Sequence, residues 1–207
     1  MKLAFLASHN GSNMQAVIDA CNSGKLACKP VLVISNNRES GALARAQKEG
    51  IPSVHLSLQT HRDTEALDHA ILAALQQHGA DWVVLAGYMR KLGAATLSAY
   101  RGRIVNIHPA LLPKFGGQGM YGINVHRAVL AAGEAESGAT VHLVDGEYDH
   151  GEILAQRKVP VLPDDTPETL AQRVLNVEHQ LYVDTLAELA AGMPQPGPQI
   201  PLGFYQQ

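Results

Sequence analysis

Charge of one sign, cysteine and long apolar runs are all scarce in this chain. Of its 207 residues only 17% are charged, the net charge is −3, and no run of Lys or Arg occurs. A nucleic-acid groove or a membrane-surface patch needs concentrated positive charge, so neither partner is expected and a small molecule is. Cys21 and Cys28 are the only cysteines. They form no CxxC pair and show no metal-ligand spacing, so they read as reduced cytosolic thiols and no metal is expected. No apolar run approaches the ~18 to 20 residues of a membrane span. The apolar start, residues 1–7, carries a single Lys2 and is too short for a secretory core, with no cleavage-type segment behind it. A cytoplasmic protein is expected. There is no internal repeat.

What is present is a 46% hydrophobic composition with strand-length apolar runs between longer helix-type patterns. That alternation describes an α/β fold: a Rossmann-like, open, mostly parallel twisted sheet with helices on both faces. Strands are expected at residues 2–7, 30–35, 81–86 and 103–107. Two more, at 139–144 and 153–159, suggest a late antiparallel pair or an edge extension. Helices are expected at 12–21, 41–49, 64–77, 94–100, 125–131 and 167–190. The last starts on Asp165 or Thr166 as N-cap with Pro167 at its first position, and stops at Gly192 and Pro194. One domain is expected over 1–192. The segment 193–207 is too rich in Pro for a helix and reads as an extended or mobile tail.

Three constellations carry chemistry. The first strand runs through Ser8-His9-Asn10-Gly11-Ser12-Asn13 into a helix, which aims backbone N–H groups outward at a helix N-terminus, an anion site. Gly11 permits close approach to a phosphate, and Ser12 and Asn13 either cap the helix or bond the anion. The turn is neither GxGxxG nor a Walker motif, which disfavours a dinucleotide or ATP. A plain capped strand-to-helix turn is the alternative.

In Asn106-Ile107-His108-Pro109, strand alternation puts Asn106 and His108 on one face, ~6.5 to 7 Å apart at Cα. Pro109 ends the ladder, so the pair sits at the carboxyl end of its strand, where open α/β sheets bind ligands. A carboxamide donor beside a protonated imidazole suits acyl or formyl transfer, where negative charge grows on a carbonyl oxygen. Two strand-end caps would be the bland reading.

Between the late strands, Asp145, Glu147 and Asp149 alternate in an acidic loop. An EF-hand is rejected, because the sixth position is His150 rather than Gly and the twelfth is Gln156 rather than Glu. Either the loop is a solvated turn, or one Asp raises the imidazole pKa so that His108 stays charged near neutral pH.

Taken together, the SHNGSN turn, LAGYMRKL at 85–92, NIHPALLPKF at 106–115 and DGEYDHGEILAQ at 145–156 resemble the phosphoribosylglycinamide formyltransferases, within the folate-dependent formyltransferase family. The resemblance runs in order from Met1 to about Ala190. It implies Asn106, His108 and Asp149 as catalytic residues, Gly11, Ser12 and Asn13 as a holder of the ribonucleotide phosphate, and Glu178 as a carboxylate contacting the same substrate. It implies a folate cleft at Met89, Arg90, Lys91, Leu92 and Asn106, closed by Asp145, Gly146, Glu147, Tyr148 and Asp149. The cosubstrate implied is 10-formyltetrahydrofolate, without a metal, in a monomer or homodimer.

Two departures stand out. Thr64 occupies a position where the family commonly has Arg, with Arg62 a possible substitute. Residues 116–122 (GGQGMYG) lengthen the chain relative to the shortest members and read as a mobile or phosphate-approaching loop, or as a surface insertion. His126 fits the family pattern as a structural or substrate-side residue. A deformylase would carry an extra N-terminal domain before Met1, a transferase acting on initiator tRNA a C-terminal domain and a basic surface. A non-catalytic nucleotide-binding module would not require the Asn106 and His108 tips.

Overall fold

A computed structural model describes residues 1–192; the Pro-rich segment 193–207 lies outside the described residues. The elements run β1 (Lys2–Ala7), α1 (Ser12–Asn22), β2 (Lys29–Ser35), α2 (Gly41–Lys48), β3 (Ser53–His55), α3 (Thr64–Gln77), β4 (Trp82–Leu85), α4 (Ala94–Ala99), β5 (Ile104–His108), α5 (Ile123–Ala131), β6 (Glu136–Leu143), β7 (Ile153–Pro160) and α6 (Pro167–Gly192). The strands form one seven-stranded sheet in the order β3-β2-β1-β4-β5-β6-β7. Pairs from β3 to β5 are parallel, and β6 and β7 are added antiparallel. Of the two readings left open for the late strands, the sheet realises both, because the antiparallel pair is itself the edge extension.

Both faces are covered. Val84, Val105, Ile107 and Val141 pack with residues of α1, α2, α5 and α6, while Val83, Leu85 and Ile104 pack with residues of α3 and α4. Strands buried on both faces read as continuous apolar runs, which is why β1, β2, β4 and β5 stand out in the sequence. The three residues of β3, SVH, carry no such signal, and that strand is an addition to the expected set.

The last helix locks the sheet. Thr166 accepts the Thr169 backbone N–H (3.3 Å) as N-cap, and Asp165 instead takes both Arg173 nitrogens at 2.6 and 2.8 Å. Further along, the buried Tyr182 hydroxyl reaches the carbonyls of Leu85 (2.8 Å) and Val105 (3.1 Å), joining α6 to β4 and β5. Strand order reverses between β1 and β4, the topological switch point where such sheets take ligands outside the carboxyl ends.

Candidate active site

At that switch point a cavity of about 930 Å³ opens across the carboxyl ends of β1, β2, β4 and β5. Ile104 packs with α3 and α4, and strand alternation puts Asn106 and His108 on the same face, further along than those helices reach. The loop after β6 folds over this uncovered part and brings in Asp149. His108 and Asp149 side chains are only 5% and 11% exposed, with Nδ1 3.4 Å from Oδ2.

The ring of His108 is oriented from its other side. Its Nε2–H donates to the Phe115 carbonyl at 2.8 Å, so Nδ1 is the nitrogen free to gain or lose a proton. Burial lowers the His108 pKa below its ordinary value, and the opposing pull of Asp149 and of the Phe115 carbonyl does not overcome it; His142 lowers it further. Asp149 does pull the imidazole towards its charged form, as expected, but the larger desolvation leaves the net shift downward. For Asp149 the balance reverses: burial raises its carboxyl, but the His142 and His108 rings and the Gly117 amide together hold it below the ordinary carboxylate range.

His142 was not singled out in the sequence. It lies directly across the β5–β6 ladder from Asn106, whose Nδ2 donates to its Nε2 at 3.1 Å, while its Nδ1–H donates to the Leu143 carbonyl at 2.9 Å. The same Nε2 is 3.5 Å from Asp149 Oδ1. A strand-register argument from Asn106 would have found it only with the pairing known.

The expected ribonucleotide holder is assembled in part. Asn13 and Glu178 line the cavity and bond each other, Nδ2 to Oε2, at 2.6 Å; burial raises the Glu178 carboxyl and Asn13 opposes it. Gly11 and Ser12 are not in the lining. Gly11 has φ +73°, and a Cβ there would stand 2.9 Å from the Ala42 Cβ, so this glycine serves the close packing of α1 on α2.

The expected folate cleft also divides. Met89, Arg90, Asn106, Tyr148 and Asp149 line the cavity; Lys91, Leu92, Asp145, Gly146 and Glu147 do not. Leu92 is a core residue against Ile71 and Tyr100 of the α3–α4 layer. Lys91 lies 3.9 Å from Glu147 and 4.7 Å from the Tyr148 ring centroid, tying the acidic loop to the segment after β4. Asp145 bonds within its own loop, accepting from the Glu147 N–H at 3.1 Å and facing His150 at 3.2 Å. Arg62 pairs with Asp63 (3.0 Å) and is not in the lining.

Segment 116–122 is no plain surface insertion, since Gly117 through Gly122 form one wall. His126 of α5 is buried beside it with Nδ1 unpartnered. Burial, and secondarily His108, lower its pKa to about 4.

The profile of the formyl transferase family matches residues 1–186. The chain belongs to that family. Among relatives of this formyl transferase, the chloroplastic phosphoribosylglycinamide formyltransferase of Arabidopsis thaliana is 42% identical over 91% of the chain. The chain spans 65% of that plant protein's own length. The phosphoribosylglycinamide formyltransferase of Escherichia coli K12 is 38% identical over 93% of the chain and 88% of its own length. The crystal structure of the Brucella melitensis phosphoribosylglycinamide formyltransferase superposes with a TM-score of 0.85 at 44% identity, covering 94% of this chain and 97% of that one. Among the described residues, no helix of this formyl transferase is long and apolar enough to cross a membrane.

Proposed function

We propose that the protein transfers the formyl group of 10-formyltetrahydrofolate to the amine of 5′-phosphoribosylglycinamide, a step of purine (IMP) biosynthesis in the cytoplasm. The observation that carries this reading is the meeting of Asn106, His108 and Asp149 on the wall of one cavity, with an amide donor on one side and a proton-accepting pair on the other. The names of the relatives agree with it. A volume of about 930 Å³ lies near the upper end of the ~300 to 1,000 Å³ of small-molecule sites and has room for two ligands. Met89, Arg90 and Tyr148 flank the side suited to the folate. Asn13 and Glu178 flank the side suited to the ribonucleotide, and Glu178 supplies an acceptor for sugar hydroxyls.

The geometry supports a role for each of the three. As the substrate amine attacks the formyl carbon, negative charge grows on the formyl oxygen, and the second N–H of Asn106, not used by His142, donates to it. The amine must shed a proton. His108 Nδ1 faces the Asp149 carboxylate at 3.4 Å, so with Nδ1 free of a proton the pair takes that proton, directly or through water. Once on Nδ1 it is stabilised by Asp149, and the ring becomes a charged neighbour of the oxyanion. The proton then passes to the departing folate nitrogen as the carbon–nitrogen bond breaks. Two substrates held side by side make the step effectively unimolecular.

A single assay tests the reading: 10-formyltetrahydrofolate is supplied with and without glycinamide ribonucleotide. Formylated ribonucleotide is expected only with both present. Release of formate without acceptor would make the protein a hydrolase, and no turnover of either kind would make it a binding module.

A further inference from the structure

The pair of glycines at 116 and 117 has a structural reason that substrate contact alone does not give. Phe115 offers its carbonyl to His108 Nε2 at 2.8 Å. Two residues on, the Gly117 N–H donates to Asp149 Oδ2 at 3.0 Å, the same oxygen that lies 3.4 Å from His108 Nδ1. One short stretch of main chain therefore touches both partners.

Its backbone is shaped for that contact. Gly117 has φ +91°, a conformation that side chains other than glycine rarely adopt. A Cβ on Gly116 would stand 2.5 Å from Leu112 Cδ2 and 3.2 Å from Asp149 Cβ, so a side chain there would press on the residue that carries the carboxylate. Phe115 and Asp149 are themselves non-glycine residues at φ +56° and +54°. Two such residues held together, where the surroundings impose them, are a mark of functional positioning.

We infer that residues 115–117 are a backbone clamp that fixes the distance and orientation of the His108–Asp149 pair, with Gly117 as its positioning residue. A carbonyl turns the imidazole so that Nδ1 faces the carboxylate, and an N–H holds the carboxylate in place. The other titratable groups facing the pair are His142 from β6 and His126 from α5. Neither supplies the bond that Gly117 makes. Because the stretch runs straight into the cavity wall formed by residues 117–122, the wall and the proton-transfer pair are one continuous piece of chain.

The kinetic consequence rests on the formyl-transfer reading, and the structural one does not. Gly117→Ala strains the clamp; Gly133→Ala adds the same methyl at φ +65° beyond the end of α5, with nothing within 4 Å, and serves as control. The carboxyl carbon of Asp149 is titrated by NMR in the full-length protein. In Gly117→Ala its midpoint is expected to move up, because the carboxylate loses a donor; in Gly133→Ala it should not move. In parallel, kcat should fall by up to about a hundredfold, with KM for both substrates nearly constant.

An unmoved Asp149 titration in folded Gly117→Ala overturns the clamp, as does a loss confined to KM. Should that variant not fold, Gly116→Ala, whose new methyl presses on Asp149 Cβ, is read by the same titration with the same two outcomes. A moved Asp149 midpoint in a protein whose wild type transfers no formyl group leaves the clamp standing and removes the proposed reaction.

Discussion

Asn106 and His142 face each other across the β5–β6 ladder, Nδ2 to Nε2 at 3.1 Å, so one imidazole nitrogen orients the amide proposed to meet the oxyanion. That nitrogen is also 3.5 Å from Asp149 Oδ1. It can accept from Asn106 when neutral or donate to Asp149 when protonated, but not both. Asn106→Ala is expected to lower kcat by about a hundredfold to a thousandfold, ~2.7 to 4 kcal/mol, as for a lost oxyanion donor. His142→Ala should cost less, and the double variant little more than Asn106→Ala alone. Steady-state kinetics on the four proteins checks this; full additivity would mean that His142 does not act through Asn106.

For Asp149, the sign of the pH effect separates roles. Asp149 raises the pKa of His108 against the larger lowering by burial. Asp149→Asn should therefore reduce kcat by about a hundredfold or more, as for a lost acid–base group. The acidic limb that remains should shift to lower pH, since the imidazole has lost its counter-charge. A pH–rate profile with an unmoved limb would remove Asp149 as the partner of His108.

Glu178 predicts a binding effect. Its buried carboxylate takes one bond from Asn13 at 2.6 Å and has acceptor capacity left for the ribonucleotide. Glu178→Gln should raise KM for the ribonucleotide by about tenfold to a hundredfold, the range for a hydrogen bond to a charged group, with kcat and KM for the folate little changed. An equal rise in both KM values would point to general collapse of the cavity.

His126 predicts how the fold responds to acid. Its pKa falls from 6.5 to about 4 on folding, so within that window the unfolded chain binds a proton that the folded chain does not. Stability contributed by the neutral ring is complete above 6.5, declines as pH falls towards 4, and declines no further below it. His126→Gln, which cannot titrate, should show a smaller loss of urea midpoint between neutral pH and about pH 5. Parallel losses in wild type and variant would contradict the assignment.

The parts legible in the sequence were those encoded locally. A run such as LAFLA states its own burial, and Asn106 and His108 share a face because β-strand alternation leaves no choice. Segments 139–144 and 153–159 were legible as a late antiparallel pair or edge extension from their nearness in the chain, and the sheet adds them as both. Exact pairing is a property of two segments, and that limit hid His142, which matters only through its register with Asn106. The size of the desolvation at His108 was out of reach for a different reason. Spacing can suggest a carboxylate neighbour, but the opposing desolvation depends on how many atoms surround the ring, and no local pattern counts them. Gly11 and Leu92 carry a second demand that the resemblance does not state, since they also pack against Ala42 and in the α3–α4 layer.

The bond between Asn13 and Glu178 joins residues 165 positions apart. During synthesis, a chain that has emerged only as far as β7 already holds Asn106, His108, His142 and Asp149 but has no partner for Asn13 and no wall from α6. The ribosome must release nearly the whole described chain before the ribonucleotide side of the cavity exists, so a product truncated ahead of α6 would have no place to seat the acceptor.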